Sequence, residues 1–224
     1  GIWTLPEIGF IGRTKERALA DGWTSVGEAV AKYDQTIRGR VQGLDTGLLK
    51  LVFSKPDGVI LGVHIFGEDA CELVHYATAL AQSGKTVRQV LGTTFAAVTY
   101  HELFAIAASQ ALEMLEADAW TDILHRIGGD SRQISVTALL EGLKEAGMNG
   151  DDVQEVGHTL NEDLADASVD MEKARGAIRK YRIPPKYRLA VALKEQFDPS
   201  LGAAVVRQRA YNMFCSMDRD ASGS

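Results

Sequence analysis

The chain has 224 residues, which is long enough to bury a hydrophobic core and to form two small domains. Its apolar fraction of 46% and charged fraction of 24% are typical of a soluble globular protein, and no apolar run has the length of a membrane span. The net charge of −6 argues against a nucleic-acid-binding protein, which normally carries a basic excess.

The two cysteines, Cys71 and Cys215, are far apart and form no CxxC pair. We therefore expect a reducing compartment, either the cytoplasm or the interior of an organelle. The sequence begins at Gly1 directly on a strand-like run, which indicates a processed chain or an ordered piece of a longer protein.

A hairpin dominates the first half of the sequence. Two β-rich runs, Leu48–Phe53 and Val59–Phe66, are joined by a short connection that contains Pro-Asp-Gly. Proline fixes φ and glycine supplies a positive φ, so this connection favours a tight turn between two strands. Before it, Arg13–Asp21 has a helical pattern, and Ser25–Tyr33 alternates apolar and polar residues as a strand does.

Helical patterns follow the hairpin. The sequence predicts helices over Glu68–Gly84, Thr86–Leu91 and Thr99–Leu115. Thr99 and Glu102 have the spacing of a capping box, in which each side chain bonds the backbone N–H of the other residue. We therefore predict an α+β fold, a mostly antiparallel sheet with helices on one side.

These elements carry a resemblance to a known family. Residues 1–116 resemble the C-terminal dimerisation domain of the FAD- and NAD(P)-dependent pyridine nucleotide-disulfide oxidoreductases, and most of all their soluble transhydrogenase and dihydrolipoamide dehydrogenase branch. The matching motifs are Thr4-Leu5-Pro6-Glu7-Ile8-Gly9, Thr46-Gly47 and Ile60-Leu61-Gly62-Val63-His64-Ile65-Phe66-Gly67, followed by the Thr99 helix.

The resemblance implies a catalytic motif that this chain only partly keeps. In the disulfide reductases such a domain lends a His-Pro-Thr-x-x-Glu motif to the partner subunit, with the histidine as acid–base and the glutamate orienting it. That pattern falls on residues 97–102, where the histidine is replaced by Ala97 and the proline by Val98. Glu102 remains as a catalytic candidate, and the alternative is that it only caps the helix. His101 is a weaker substitute for the histidine, because it lies in the first turn of the helix and points in a different direction.

The sequence contains no GxGxxG after a strand and no redox CxxC. We therefore expect no cofactor on this chain. FAD and NAD(P) are implied by the resemblance only if nucleotide-binding domains lie upstream. The histidines are scattered, without the spacing of a metal site.

From residue 117 to 182 the sequence predicts only helices, arranged as in a pair of EF-hands. A short β-branched stretch lies between two helices, first at Ile134 and again at Val169. A calcium loop needs oxygen ligands at positions 1, 3, 5 and 9 and a bidentate glutamate at position 12. Position 12 is Ala138 in the first loop and Lys173 in the second, so we expect an all-α, EF-hand-like pair that binds no metal.

Residues 183–224 are predicted to hold two further helices, Lys186–Phe197 and Ser200–Met217. The tail then has the start of a calcium loop, with Asp218, Asp220 and Ser222 at positions 1, 3 and 5, and ends before the glutamate. We expect weak binding or none from this partial loop. A polar tail is the other interpretation.

The sequence favours a non-catalytic protein–protein assembly module, a structural subunit or a fragment of a larger complex. Its partners would be other subunits or a second copy of the chain, docked through the sheet domain of residues 1–116. The alternative is the C-terminal interface part of an FAD-dependent NAD(P) transhydrogenase-like oxidoreductase whose nucleotide-binding domains lie upstream.

Overall fold

A computed structural model describes residues 1–55, 57–129, 131–160 and 168–183. These residues form two compact units, 1–114 and 115–183. The predicted helices Lys186–Phe197 and Ser200–Met217 lie outside the described residues.

The first unit contains a four-stranded antiparallel sheet with the strand order β1-β4-β3-β2. The predicted hairpin forms its centre, with β3 paired to β4 and a bulge between Val52 and Phe53. The predicted α+β class is confirmed. The strands are β1 (Glu7–Gly12), β2 (Val26–Lys32), β3 (Leu48–Ser54) and β4 (Ile60–Gly67), and the helices are α1 (Lys15–Ala20), α2 (Ile37–Gln42), α3 (Ala70–Gln82), α4 (Val87–Leu91) and the start of α5 (Glu102–Gly128).

The two faces of this sheet differ in burial. On the inner face, the row Gly9, Ile65, Leu49 and Ala31 runs across all four strands and is buried. Helix α3 lies so close to this face that a Cβ on Gly9 would be 2.4 Å from the carbonyl oxygen of Ala70. Only glycine permits this approach of helix to strand.

The outer face is partly open. Phe10, His64, Lys50 and Val30 form the row next to the inner one, because adjacent residues of a strand point to opposite faces. Phe10 is 53% exposed and Val30 is 36% exposed. Leu48, in the next row of the same face, is 36% exposed. This face therefore presents apolar side chains that the first unit does not cover.

The observed bounds of helix α5 differ from the predicted ones at both ends. It begins at Glu102 instead of Thr99, and it continues to Gly128 instead of ending near Leu115. Residues 115–119, where the predicted helix ends, are Leu, Glu, Ala, Asp and Ala, with no Gly or Pro, so nothing local interrupts the helix. The buried positions are spaced by three and four residues up to Leu115 and resume at Trp120, beyond the predicted end.

The second unit is helical apart from one short ladder. Strands β5 (Gln133–Ser135) and β6 (Ser168–Asp170) pair antiparallel with Ile134 opposite Val169. Met171 donates its backbone N–H to the carbonyl of Arg132 over 2.9 Å, which extends the link between the two halves. The helices are the end of α5, then α6 (Val136–Glu145), α7 (Gly150–Thr159) and α8 (Met171–Ile178).

Among the described helices, none joins enough length with enough apolar character to cross a lipid bilayer. The longest of them, α5, carries acidic residues through its middle.

Candidate functional site

The segment before α5 holds the residues that the family motif singles out. Val98 has a φ of 61°, in the left-handed region that β-branched residues rarely adopt. The hydroxyl of Thr99 donates to the carbonyl of Ala96 over 2.9 Å, and the backbone N–H of Glu102 reaches the carbonyl of Thr99 over 3.3 Å. These bonds form a tight turn that leads into the first turn of α5.

The carboxylate of Glu102 accepts two backbone hydrogen bonds. Its Oε1 accepts from the N–H of Val98 over 2.7 Å, and its Oε2 accepts from the N–H of Ile37 over 3.1 Å. Ile37 is the first residue of α2, where the initial N–H groups have no partner within the helix. Glu102 therefore joins the turn before α5 to a helix 65 residues earlier in the chain.

This geometry differs from the predicted capping box. Glu102 bonds the N–H of Val98 instead of that of Thr99, and the Thr99 hydroxyl is a donor to Ala96. The left-handed backbone at Val98 accompanies this bond to the carboxylate. A proline at position 98 would have no N–H to donate, so the replacement of the family's proline makes this bond possible.

His101 does not take the place of the missing histidine. Its ring stacks on Phe104 at a centroid distance of 6.1 Å and meets the edge of Tyr76 at 6.1 Å. Both carboxylate oxygens of Glu102 already accept from backbone groups. The side chain at position 97 is a methyl group, which cannot carry a proton. Residues 97–102 thus hold an anchored carboxylate beside a position without a base.

A buried tyrosine pair lies next to this site. Tyr33 and Tyr100 are 0% and 2% exposed, with ring centroids 4.8 Å apart. The Tyr33 hydroxyl donates to the carbonyl of Glu68 over 2.6 Å, and the Tyr100 hydroxyl donates to the Glu68 carboxylate over 2.6 Å. The side-chain oxygen of Gln42 also contacts the Tyr100 hydroxyl. These bonds connect α2 and the start of α3 to the turn that contains Tyr100.

Charged side chains lie next to the tyrosine pair. The guanidinium of Arg38 lies 4.4 Å above the Tyr100 ring and 3.6 Å from the carboxylate of Asp69. Burial raises the pKa of Tyr100 to about 12, and the bond to Glu68 acts in the same direction. Burial also raises the pKa of Tyr33 well above its usual range. Both phenols are therefore neutral near pH 7 and act as hydrogen-bond donors, not as bases.

The loops of the second unit have their side chains in capping roles. Ser135, at position 9 of the first predicted calcium loop, is the N-cap of α6 and accepts from the N–H of Ala138. Asp170, at position 9 of the second, is the N-cap of α8 and accepts from the N–H of Glu172 over 2.8 Å. Asp218, Asp220 and Ser222 lie outside the described residues.

The described part of the chain contains no group of three or more His, Cys, Asp or Glu side chains that could hold a metal ion. Positions 1–6 of the second predicted loop fall in residues 162–167, which lie outside the described residues.

Sequence reasoning identified Glu102 and missed the residues around it. Tyr33, Glu68 and Ile37 are brought to this site by the tertiary fold, from positions 34 to 69 residues away in the chain. One signal was available: Gly39 is in α2 although glycine is a poor helix former, which indicates a close approach of backbone. A Cβ there would lie 1.9 Å from the carbonyl oxygen of Tyr33.

The first unit matches known sequences. A soluble pyridine nucleotide transhydrogenase of Yersinia enterocolitica is 36% identical over 119 residues, which are 51% of this chain and 25% of the relative. The same protein of Yersinia pestis matches to the same extent. The chain thus spans about a quarter of the length of the curated relatives that it matches.

Solved structures also align with about half of the chain. LpdA of Mycobacterium tuberculosis aligns with a TM-score of 0.45 and 19% identity, over 48% of this chain and 23% of that chain. The flavoprotein disulfide reductase RclA of Escherichia coli aligns with a TM-score of 0.45 and 18% identity, over 48% and 24%.

The sequence model described as the dimerisation domain of pyridine nucleotide-disulphide oxidoreductases matches residues 1–108. These residues include all four strands of the antiparallel sheet and the first turns of α5. Residues 1–108 of this chain are therefore similar to the dimerisation domain of the pyridine nucleotide-disulphide oxidoreductases.

Proposed function

We propose that this chain is a non-catalytic assembly module that associates with a second copy of itself or with another subunit through residues 1–116. The observation that carries this proposal is the state of Glu102. Both of its carboxylate oxygens bond backbone N–H groups, and Ala97 stands where the family motif has its acid–base. The carboxylate acts as an anchor between two segments and has no base to orient.

The outer face of the sheet supports the assembly role. Phe10, Val30 and Leu48 on this face are each at least 36% exposed. They lie on β1, β2 and β3 of one sheet face, and exposed apolar side chains on one face are common at protein–protein interfaces. A second copy is the occupant that we propose, because residues 1–108 are similar to a dimerisation domain.

Sedimentation velocity of the purified chain tests the proposal. We expect a dimer, and Leu48→Glu should shift it toward monomer because the substitution places a charge on the apolar face. Val41→Glu is the matched control, since Val41 is a 78% exposed aliphatic residue on α2. A monomeric wild-type chain at all accessible concentrations would contradict self-association. Equal dissociation by the two variants would place the contact elsewhere.

A second candidate is the C-terminal interface part of an FAD-dependent NAD(P) transhydrogenase-like oxidoreductase. The 36% identity with soluble pyridine nucleotide transhydrogenases favours it. In that case the nucleotide-binding domains precede Gly1, and FAD and NAD(P) bind there and not on residues 1–224. The intact mass and the flavin absorbance of the protein isolated from its natural source discriminate between the two candidates.

For the helical part we propose an EF-hand-like pair that works without metal. The antiparallel pairing of Ile134 with Val169 between two helix–loop–helix segments supports this proposal. Ser135 and Asp170 are occupied as helix caps, and Lys173 stands at the bidentate position of its loop. Millimolar calcium should leave the thermal midpoint of the chain unchanged. A calcium-induced rise would contradict metal independence.

A further inference from the structure

We infer that the second unit contains a binding site for a short non-helical peptide with an aliphatic anchor, and that residues 181–183 of the same chain occupy it. Residues 181–183 follow α8 and belong to no helix or strand. They nevertheless lie on the apolar core of this unit. The inference is independent of the self-association proposed for the sheet domain, because it concerns only residues 115–183.

The first contact is a hydrogen bond from a buried side chain to the main chain of this segment. The indole Nε1–H of Trp120 donates to the backbone carbonyl of Tyr181 over 3.0 Å. Trp120 is 2% exposed, so its N–H has no access to water. A buried indole N–H needs an acceptor, and here a carbonyl outside regular structure supplies it. Such a bond recognises a peptide main chain independently of its sequence.

The second contact is an apolar anchor. Ile183, two residues after the captured carbonyl, is 2% exposed and belongs to the same buried cluster as Trp120 and Ile123. Tyr181 packs against this cluster as a partly buried side chain. Peptide-binding sites commonly combine main-chain hydrogen bonds with a pocket for a side chain. The fitting ligand is therefore a non-helical segment with an aliphatic residue two positions after the bonded carbonyl.

The third contact holds the start of the segment in place. Lys180 forms an ion pair with Glu155 on α7, with 2.6 Å between Nζ and Oε1. Its Nζ also lies 5.1 Å from the centroid of the Tyr181 ring. Both charged side chains are more than half exposed, so the ion pair adds little to the stability of the unit. Its main effect is to orient the start of the segment toward α7.

A ligand and an ordinary part of the core respond differently to substitution. A ligand segment can leave while the rest of the unit stays folded, whereas loss of a core side chain disrupts the fold. The chain offers a matched pair for this test. Ile183 and Ile134 are both isoleucines, both 2% exposed and both members of the same cluster.

The experiment compares Ile183→Ser with Ile134→Ser in the full chain. We expect Ile183→Ser to keep the far-UV circular dichroism of the wild type while the indole N–H of Trp120 exchanges faster with solvent. Ile134→Ser should lose helical signal. Equal loss of helix in the two variants would overturn the inference, because Ile183 would then be an ordinary core residue.

Binding in trans is the second measurement. A fluorescein-labelled peptide of residues 176–185 should bind Ile183→Ser at least about tenfold more tightly than the wild type, because the intramolecular segment no longer competes for the site. The same peptide with serine in place of Ile183 is the control and should bind neither protein. Failure of the unmodified peptide to bind the Ile183→Ser variant, or equal binding of the two peptides, would overturn the inference.

Discussion

Residues 1–114 use polar side chains to tie distant segments together, whereas residues 115–183 are held mainly by an apolar cluster. In the first unit, Tyr33, Tyr100 and Glu102 each bond a group more than 30 residues away in sequence. In the second, the cluster around Trp120 and Leu139 joins four helices. The hydrogen bond from Trp120 to Tyr181 is a long-range polar contact in the second unit.

This difference bears on the role of Glu102 in the first unit. Glu102 still lies at the position that the motif assigns to it, but its carboxylate now stabilises a turn and a helix terminus. Packed apolar side chains, unlike a carboxylate, cannot serve either in catalysis or as structural hydrogen-bond acceptors. Substitutions and pH changes should therefore affect the two units separately, and Trp23 and Trp120 report on the first and the second unit respectively.

The largest expected effect comes from a methyl group added to a helix. Gly39→Ala places a Cβ 1.9 Å from the Tyr33 carbonyl oxygen, and the backbone cannot yield without breaking the Thr36 cap. We expect a loss of about 3 kcal/mol or more in the unfolding free energy of the first unit. Urea unfolding, followed through fluorine-labelled Trp23, measures it.

The matched control lies in the other unit. Gly176→Ala, in α8, has no neighbouring atom within 4 Å and should stabilise the second unit by about 0.5–1 kcal/mol. Destabilisation of both units by Gly39→Ala would show that they unfold together, and the comparison between them would fail.

Alkaline pH should weaken the first unit before the second. Burial raises the pKa of Tyr100 from 10.0 to about 12, so folding favours the neutral phenol. This stabilisation is complete below pH 10 and is lost as the pH rises from about 10 to 12. Trp23 should report unfolding in that window, and Tyr100→Phe should flatten the pH dependence. A Trp120 transition at lower pH than the Trp23 transition would contradict this order.

The next effect is smaller. Glu102→Gln keeps one carbonyl oxygen and turns an amide NH₂ toward the other backbone N–H, so one of the two partly exposed bonds is lost. We expect the first unit to lose about 0.5–1.5 kcal/mol. Glu113→Gln, at an exposed position of α5, is the control and should change stability by less than about 0.5 kcal/mol. Equal changes in stability for the two substitutions would contradict the anchor role of Glu102.

The smallest effect concerns the second unit in acid. The hydrogen bond from Lys180 lowers the pKa of Glu155 below its usual 4.5. The contribution of this carboxylate is therefore present above pH 4.5 and is lost as the pH falls through its lowered pKa. Trp120 should report a slight acid loosening that Glu155→Gln abolishes. An acid transition that is unchanged in Glu155→Gln would exclude this pair as its cause.

Much of the first unit could be predicted from local patterns. The hairpin follows from a Pro-Asp-Gly connection between two β-rich runs, and the structure has β3 and β4 in that place. The position of Glu102 follows from the motif spacing. Its bonding partners could not be predicted, because Ile37 is 65 residues away and a φ of 61° at Val98 is contrary to the preference of valine.

By itself, the sequence determined the α+β class, the family resemblance of the first half and the absence of a base at position 97. These depend on spacing and residue type, which act locally. Only the tertiary structure decided that Glu102 anchors α2 and that residues 181–183 lie on Trp120. Each of these depends on groups that are distant in sequence and meet only when the chain is folded.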